Sequence, residues 1–237
     1  MRIRAAIMTV TCCLGLPGFA RTLDAQPTHE PSATALRFFN DLSRVHAGTM
    51  LRTLRPPRVA IDERVRALTE VPSRSVLEPS PRERVQLAAL HAVLMYHDRQ
   101  DAVDIKVIDV PAAAIALHAR SVILISRPAL GLLSRAELQA TVAHELGHDY
   151  FWSAYWLAKQ QADPIALQVL ELKCDGIAAL TLDALGVDPR YLSDAIAKIG
   201  KFNEVPSFRW GQNGYPHPRD RERFVKELLL SMRMKGR

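Results

Sequence analysis

The spacing of hydrophobic and polar positions predicts a chain built mainly of helices. Residues 33–54 have a helical pattern, which Pro56 and Pro57 break. Residues 58–80 are mixed in character and contain several prolines, which indicates a short helix and loops. Pro81 is favourable at the first position of a helix, and we expect that helix to reach residue 96.

A short group of strand-like segments follows. Residues 104–110 alternate in character and are rich in Ile and Val, which is typical of a strand, and Pro111 ends it. Residues 115–117 and 121–126 are further strand candidates, before Pro128. The sequence therefore predicts a small sheet between helical parts.

The next helix has a defined start. Ser134 and Glu137 have the spacing of a capping box, in which each side chain bonds to the backbone of the other residue. Leu138, Val142 and Leu146 recur at helical spacing and give this helix an apolar side. We expect it to carry residues 144–148 on its second to fourth turns.

Helices also dominate the C-terminal part. Asp163 is an N-cap followed by Pro164, and the long helix that they begin is expected to end at Gly186. Asp188 and Pro189 form the same pattern of N-cap and proline, which predicts a further helix that ends near residue 200. The fold class predicted is α+β, mainly helical, with a small β-sheet before the helix of residues 144–148.

Two further segments of this part have expected roles. The aromatic stretch at residues 150–156 is expected to pack in the core or between helices, and a substrate-binding wall is the less favoured alternative. Residues 202–215 contain Gly and Asn and are expected to form a loop. A final amphipathic helix is expected over residues 218–232.

Length and the N-terminal residues define the organisation of the chain. A chain of 237 residues with 48% hydrophobic and 24% charged residues is typical of one globular domain. The start is basic, an apolar run ends at Pro17, and small residues follow, which is the pattern of a secretory signal peptide. We expect a signal peptide at 1–20, with residue 25 as the alternative cleavage position, a tail at 21–33, and one domain at 34–237. An uncleaved membrane anchor is less favoured because the run is shorter than a span of about 20 residues.

Charge and cysteine content agree with an exported protein that has no transmembrane span. The formal net charge is +6, but no aromatic residues are interleaved with the basic clusters, so no nucleic-acid partner is expected. Removal of the signal peptide would leave Cys174 as the single cysteine, without an intramolecular disulfide. We expect a periplasmic or secreted location.

The five residues from His144 to His148 carry the clearest chemical pattern, His-Glu-x-x-His. Residues four apart lie on one face of a helix, so both imidazoles can reach a single Zn²⁺. Glu145 is turned by about 100° from His144, from where its carboxylate can act as general base on a water. The alternative is an accidental match on a surface helix, which the capping box and apolar side argue against.

A catalytic zinc needs a third protein ligand, and Glu171 is the candidate. Asp175 lies four residues further along the same expected helix, where its carboxylate can orient a ligand histidine. The alternative is a solvated pair of acidic residues, and the apolar neighbours disfavour it. Gly176 beside them indicates a close approach of two helices. The metzincin pattern, in which a Gly and then a third His follow the histidine pair, is excluded because Phe151 and Ala154 stand at those two positions. Cys174 is expected to be a small buried residue.

These residues resemble the gluzincin metallopeptidases that include the HtpX heat-shock protease, the CAAX prenyl endopeptidase and the BepA-type periplasmic proteases (metallopeptidase family forty-eight). The resemblance covers residues 100–225 and is closest to the soluble, exported branch, since the stretch from 148 to 171 is too short for membrane hairpins. Its matches are the strand pair in 105–126, the metal motif, the Glu-x-x-x-Asp of Glu171 and Asp175, residues 185–190, and His217-Pro218 with Arg223. It implies a zincin-like metallopeptidase domain.

The resemblance also implies an activity, an exported zinc endopeptidase acting on protein or peptide substrates. One Zn²⁺ per chain would be held by His144, His148 and Glu171, with Glu145 as general base. His217 would be a donor to the transition state, and Arg223 would orient it. An extended peptide would pair with the strand edge near residues 113–117, although residues 113–115 are Ala-Ala-Ile where the family usually has Asn-Ala-Phe.

Two other functions stay open at this point. The chain could be a zinc-binding chaperone or assembly factor with envelope proteins as partners, in which proteolysis is secondary or latent and His217 occupies the open zinc position. The motif could also be structural only, in which case no metal would bind.

Overall fold

The computed structural model describes residues 29–42, 47–203 and 214–235. The predicted signal peptide and most of the predicted loop at 202–215 lie outside these residues. In chain order the helices are α1 (His29–Leu42), α2 (Ala47–Leu54), α3 (Ile61–Glu70), α4 (Pro81–Ala88), α5 (His91–Tyr96), α6 (Arg127–Leu132), α7 (Arg135–Tyr150), α8 (Trp152–Gln160), α9 (Pro164–Ala184), α10 (Arg190–Phe202) and α11 (Pro218–Lys235). The strands are β1 (Val76–Leu77), β2 (Asp104–Ile108), β3 (Ile115–His118) and β4 (Val122–Ser126).

The four strands form one mixed sheet in the order β1-β2-β4-β3. β4 pairs in parallel with β2, where Val107 lies opposite Ile125, and antiparallel with β3, where Ile115 lies opposite Ile125. β3 is therefore an edge strand although it precedes β4 in the chain. The predicted α+β class is confirmed, with mostly helices and a small sheet ahead of α7.

The long helix α9 lies at the centre of the packing. On one side it contacts α7, which also packs against the sheet through a core that includes Leu138, Val142 and Leu146. On the other side it contacts α1 and α11, around a second core that includes Phe39 and Phe224. Burial of these apolar faces is the main force that holds α7 and α9 together. Among the described residues, no helix is both long and apolar enough to span a membrane.

Several helix and strand ends differ from those predicted. Within the helix expected over residues 33–54 the structure describes α1 and α2, and residues 43–46 lie outside the described residues. α1 already includes residues 29–32, inside the segment expected to be a tail, and Ser32 is buried. The helix expected from Pro81 to residue 96 is broken at residues 89–90. α6 and β1 were not predicted, because six and two residues are too short to show a period.

The capping predictions are largely confirmed. Ser134 and Glu137 form the expected capping box at the start of α7, and Asp163 accepts hydrogen bonds from the backbone of residues 165 and 166 at the start of α9. Gly186 follows α9 with a φ of 69°, a conformation that glycine adopts without strain. Asp188 bonds to the backbone N–H of Arg190, but Pro189 is the N-cap of α10.

Candidate metal centre

The helix α7 presents His144, Glu145 and His148 on its third and fourth turns, and all three are buried. Potential ligand atoms of these residues lie within 4.8 Å of one another. The rings of His144 and His148 meet edge to face with their centres 5.1 Å apart. The predicted cluster is therefore present and could hold a metal ion.

Glu171 of α9 completes a convergent set of donors. Its Oε2 lies 3.4 Å from Nε2 of His144, and its Oε1 lies 3.8 Å from Nε2 of His148. Tetrahedral ligands at 2.0–2.1 Å from a zinc ion would be separated by about 3.3 Å. The donor types and these two distances are therefore compatible with a metal ion held between two imidazoles and one carboxylate.

A close contact between α7 and α9 makes this convergence possible. A Cβ atom at Gly147 would lie 2.7 Å from the Cα of Cys174, so only glycine allows the two helices to approach here. Gly176 has the same role on the other side of α9, where a Cβ would meet the ring of Phe39 on α1. The expected close helix approach at Gly176 is confirmed.

Asp175 and Arg221 support His144 from behind. The Nδ1–H of His144 donates to Oδ1 of Asp175 at 2.9 Å, which leaves Nε2 directed toward Glu171. Arg221 of α11 donates to Oδ2 of Asp175 through Nε at 2.7 Å. The predicted contact of Asp175 with a histidine is confirmed, and Arg221 is a supporting residue that the sequence analysis missed.

The pKa values of His144 and Glu171, which face each other, follow from their burial and from their hydrogen bonds. Burial opposes the charge on His144, but its hydrogen bonds with Asp175 and Glu171 prevail and raise its pKa to about 9. Burial also opposes the charge on Glu171, and the bond with His144 prevails and lowers its pKa to about 2. A cation entering between them would take the place of a proton held by this pair.

Glu145 lies beside the pair and faces the sheet. Its Oε2 accepts a hydrogen bond from the backbone N–H of Leu117 in β3 at 3.0 Å. Burial raises the pKa of Glu145 to about 7, although the charge of His144 and the Leu117 N–H favour the ionised form. A carboxylate with a pKa near 7 is suited to exchange protons at neutral pH.

Two neighbours of His148 were not assigned to the site from the sequence. Cys174 is buried, as expected, but its Sγ also lies 3.5 Å from Nδ1 of His148. The ring of Tyr155 meets that of His148 with the centres 4.9 Å apart. Both contacts depend on how α7, α8 and α9 pack together, and no spacing in the sequence indicates them.

The predicted role of Arg223 is not supported. Arg223 is on the outer side of α11, where it forms an ion pair with Asp220. The arginine that reaches the centre is Arg221, two positions earlier. Residues two positions apart differ in direction by about 200° around a helix, so Arg221 and Arg223 cannot both face α9.

His217 also lies apart from the cluster in its described contacts. It is exposed, and its Nδ1 accepts a hydrogen bond from the backbone N–H of Arg219 at the start of α11. Among the contacts of the described residues, none joins His217 to Glu145 or to the two motif histidines. Its observed role is therefore to bond the first turn of α11.

The edge of β3 that would receive a peptide is covered. Ala113, Ile115 and Leu117 are each at most 1% exposed. Pairing of a peptide with this edge, as predicted from the resemblance, therefore requires some rearrangement.

A comparison of the chain with protein-family models and with curated proteins finds no match.

Proposed function

We propose that the chain is an exported zinc-dependent endopeptidase with a zincin-like domain. The observation that carries the proposal is the carboxylate of Glu171, whose two oxygens face Nε2 of His144 and Nε2 of His148. Export is inferred from the N-terminal sequence pattern alone.

In this proposal His144, His148 and Glu171 hold one zinc ion. A bound Zn²⁺ supplies a Lewis acid for the scissile carbonyl and lowers the pKa of a water toward about 7. Asp175 holds His144 in the tautomer that leaves Nε2 free, and Arg221 keeps Asp175 ionised. Burial of the set keeps bulk water away, which strengthens each of these electrostatic contacts.

Glu145 moves the proton in this mechanism. Its carboxylate lies within 4.8 Å of the donor atoms of the two histidines, close enough to accept a proton from a water at the centre. It then gives that proton to the leaving amine as the peptide bond breaks. The Leu117 N–H holds one oxygen of Glu145 and leaves the other oxygen for proton transfer.

The test of the proposal is the variant Glu145→Gln. The amide keeps the shape and the Leu117 contact but cannot accept the proton, so we expect one zinc per chain and a fall in casein cleavage of at least about 100-fold. Cleavage at the wild-type rate by this variant would show that the mechanism is wrong.

Burial of the centre favours a second candidate function. His144 and His148 are each 7% exposed, and Glu145 and Glu171 each 3%, so a protein substrate has little direct access. A zinc-binding chaperone or assembly factor for envelope proteins, with latent or secondary proteolysis, would have such a closed site. Full complementation of a gene deletion by Glu145→Gln would favour this function over the peptidase.

A further inference from the structure

The outer edge of β3 carries backbone groups that alternate in direction. Ala114 faces β4, since its C=O accepts from the N–H of Ser126 and its N–H donates to the Ser126 hydroxyl, both at 2.9 Å. The backbone groups of Ala113, Ile115 and Leu117 therefore face the other way, away from β4, although all three residues are buried. Leu117 directs its N–H to Glu145 on that side.

Asn203 occupies the Ala113 end of this edge. Its side-chain oxygen accepts from the Ala113 N–H at 2.8 Å, and its side-chain NH₂ donates to the Ala113 C=O at 2.7 Å. One amide thus makes the same pair of hydrogen bonds that a residue of an added strand makes with an edge strand. Asn203 directly follows α10, which packs against α7, so its position is fixed by the helices around the metal centre.

We propose that Asn203 is a specificity-determining residue that occupies a peptide subsite at Ala113, two residues before β3, and that a substrate backbone displaces it. The inference rests on the proposed peptidase function. Glu145 marks the reacting position at Leu117 in β3, and Ala113 lies four residues earlier, before the strand begins. A peptide that reaches Ala113 must compete with the Asn203 amide, whereas a shorter peptide bound near Leu117 does not meet it.

Competition of this kind changes substrate affinity and leaves the chemical step unchanged. A long peptide can bind at Ala113 only in the fraction of molecules in which the Asn203 amide has left. Its apparent Kd is therefore the intrinsic Kd divided by that fraction. Removal of the amide should therefore lower KM for long peptides with kcat nearly constant. Asn203→Ala removes both hydrogen bonds, and Asn203→Asp keeps only the acceptor for the Ala113 N–H.

The experiment uses the zinc-loaded full chain and two internally quenched peptides that contain the same casein-derived cleavage site. One peptide has two residues on each side of the scissile bond, and the other has six on each side. We expect Asn203→Ala to lower KM for the long peptide about fivefold to tenfold, with kcat and the short-peptide KM changed less than about twofold. Asn203→Asp should fall between wild type and Asn203→Ala.

The matched control is Gln86→Ala, which removes another amide that donates to a backbone carbonyl, that of Leu130 at 3.3 Å. It should leave both KM values as in wild type. Equal changes for the long and the short peptide in Asn203→Ala, or a higher KM for the long peptide, would overturn the inference. Thermal melts of each variant show whether a loss of folding accounts for such a change.

Failure of the proposed peptidase function and failure of the proposed role of Asn203 would give different results. If wild type cleaves neither peptide, the proposed function fails, and binding of the long peptide still tests Asn203. Fluorescence anisotropy with Glu145→Gln and with Glu145→Gln/Asn203→Ala should then show tighter binding by the double variant. Equal affinity of the two proteins would overturn the role of Asn203.

Discussion

Two arginines of α11 differ in role because of their positions on the helix. Arg221 is 6% exposed and bonds to Asp175, while Arg223 forms a surface ion pair with Asp220. The resemblance indicated Arg223, because a sequence pattern fixes spacing but not which side of a helix faces its neighbour. Only the crossing of α11 with α9 determines that choice.

The pair gives a matched test at the residue scale. Arg221→Ala leaves Asp175 buried without its cation, so we expect a loss of about 3 kcal/mol or more in the free energy of unfolding. It should also weaken zinc binding about 10-fold to 100-fold, since His144 loses its fixed partner. Urea unfolding and zinc titration against a chelator measure both effects.

Arg223→Ala is the control for this prediction. Its side chain is 41% exposed, so its removal should change the free energy of unfolding by less than about 0.5 kcal/mol. Equal effects of the two substitutions would contradict the assignment of Arg221.

The predicted residues that the structure brings together share a local origin in the sequence. His144 and His148 are four apart on one helix, and so are Glu171 and Asp175, so each pair follows from helical geometry alone. Cys174 contacts His148 of α7, and Asn203 contacts Ala113 just before β3, both across the fold. Such contacts depend on tertiary packing, which the spacing of residues along one chain does not encode.

At the scale of elements, the packing of α7 on α9 determines whether the four site residues meet. Helix starts at Ser134 and Asp163 were predictable because a cap bonds to residues within its own first turn. The break between α4 and α5 was not predictable, because residues 89 and 90 are Ala and Leu and contain no helix-breaking residue.

Gly147 provides the test of this helix contact. In Gly147→Ala the new methyl group would press on the Cα of Cys174, a backbone atom that cannot rotate away. We expect a loss of about 1–3 kcal/mol in the free energy of unfolding, together with weaker zinc binding because α9 carries Glu171. Urea unfolding and zinc titration are the measurements.

Gly131→Ala in α6 is the matched control. Nothing lies within 4 Å of the added methyl group, so alanine should stabilise the protein by up to about 1 kcal/mol through its higher helix propensity. If Gly147→Ala were as stable as Gly131→Ala, α7 and α9 would not be in the close contact described.

At the scale of the whole molecule, a buried histidine joins α5 to α7 and α9. His97 is 1% exposed, with Nδ1 at 2.8 Å from the hydroxyl of Tyr150 and Nε2 at 2.9 Å from that of Thr181. The Thr181 hydroxyl donates to the backbone of Ile177, so it accepts from Nε2–H, and Nδ1 accepts from Tyr150. These bonds fit the neutral imidazole.

The neutral state of His97 predicts how stability depends on pH. Burial, with Arg55 and Arg99 nearby, lowers the pKa of His97 from its usual 6.5 to about 3. Below pH 6.5 the unfolded chain therefore binds a proton that the folded protein does not, and stability falls as pH falls toward 3. This residue should account for a loss of about 2 kcal/mol between pH 7 and pH 5.

Urea unfolding at pH 7 and pH 5 tests this with His97→Gln. The change in the free energy of unfolding between the two pH values should be smaller in the variant by about 2 kcal/mol, since the residues of the candidate metal centre contribute to both proteins alike. His91→Gln replaces an exposed histidine at the start of α5, the helix that His97 follows, and should keep the wild-type difference. An unchanged difference in His97→Gln would contradict the neutral assignment.

The central claim is that Glu171 holds a zinc ion together with His144 and His148. Elemental analysis of the purified full chain should find one zinc per chain in wild type and in the control Glu137→Gln. Glu137 is as buried as Glu171, but its carboxylate belongs to the capping box at the start of α7. Glu171→Ala should lose that zinc. Full zinc content in a folded Glu171→Ala protein, or no zinc in wild type, would contradict the account.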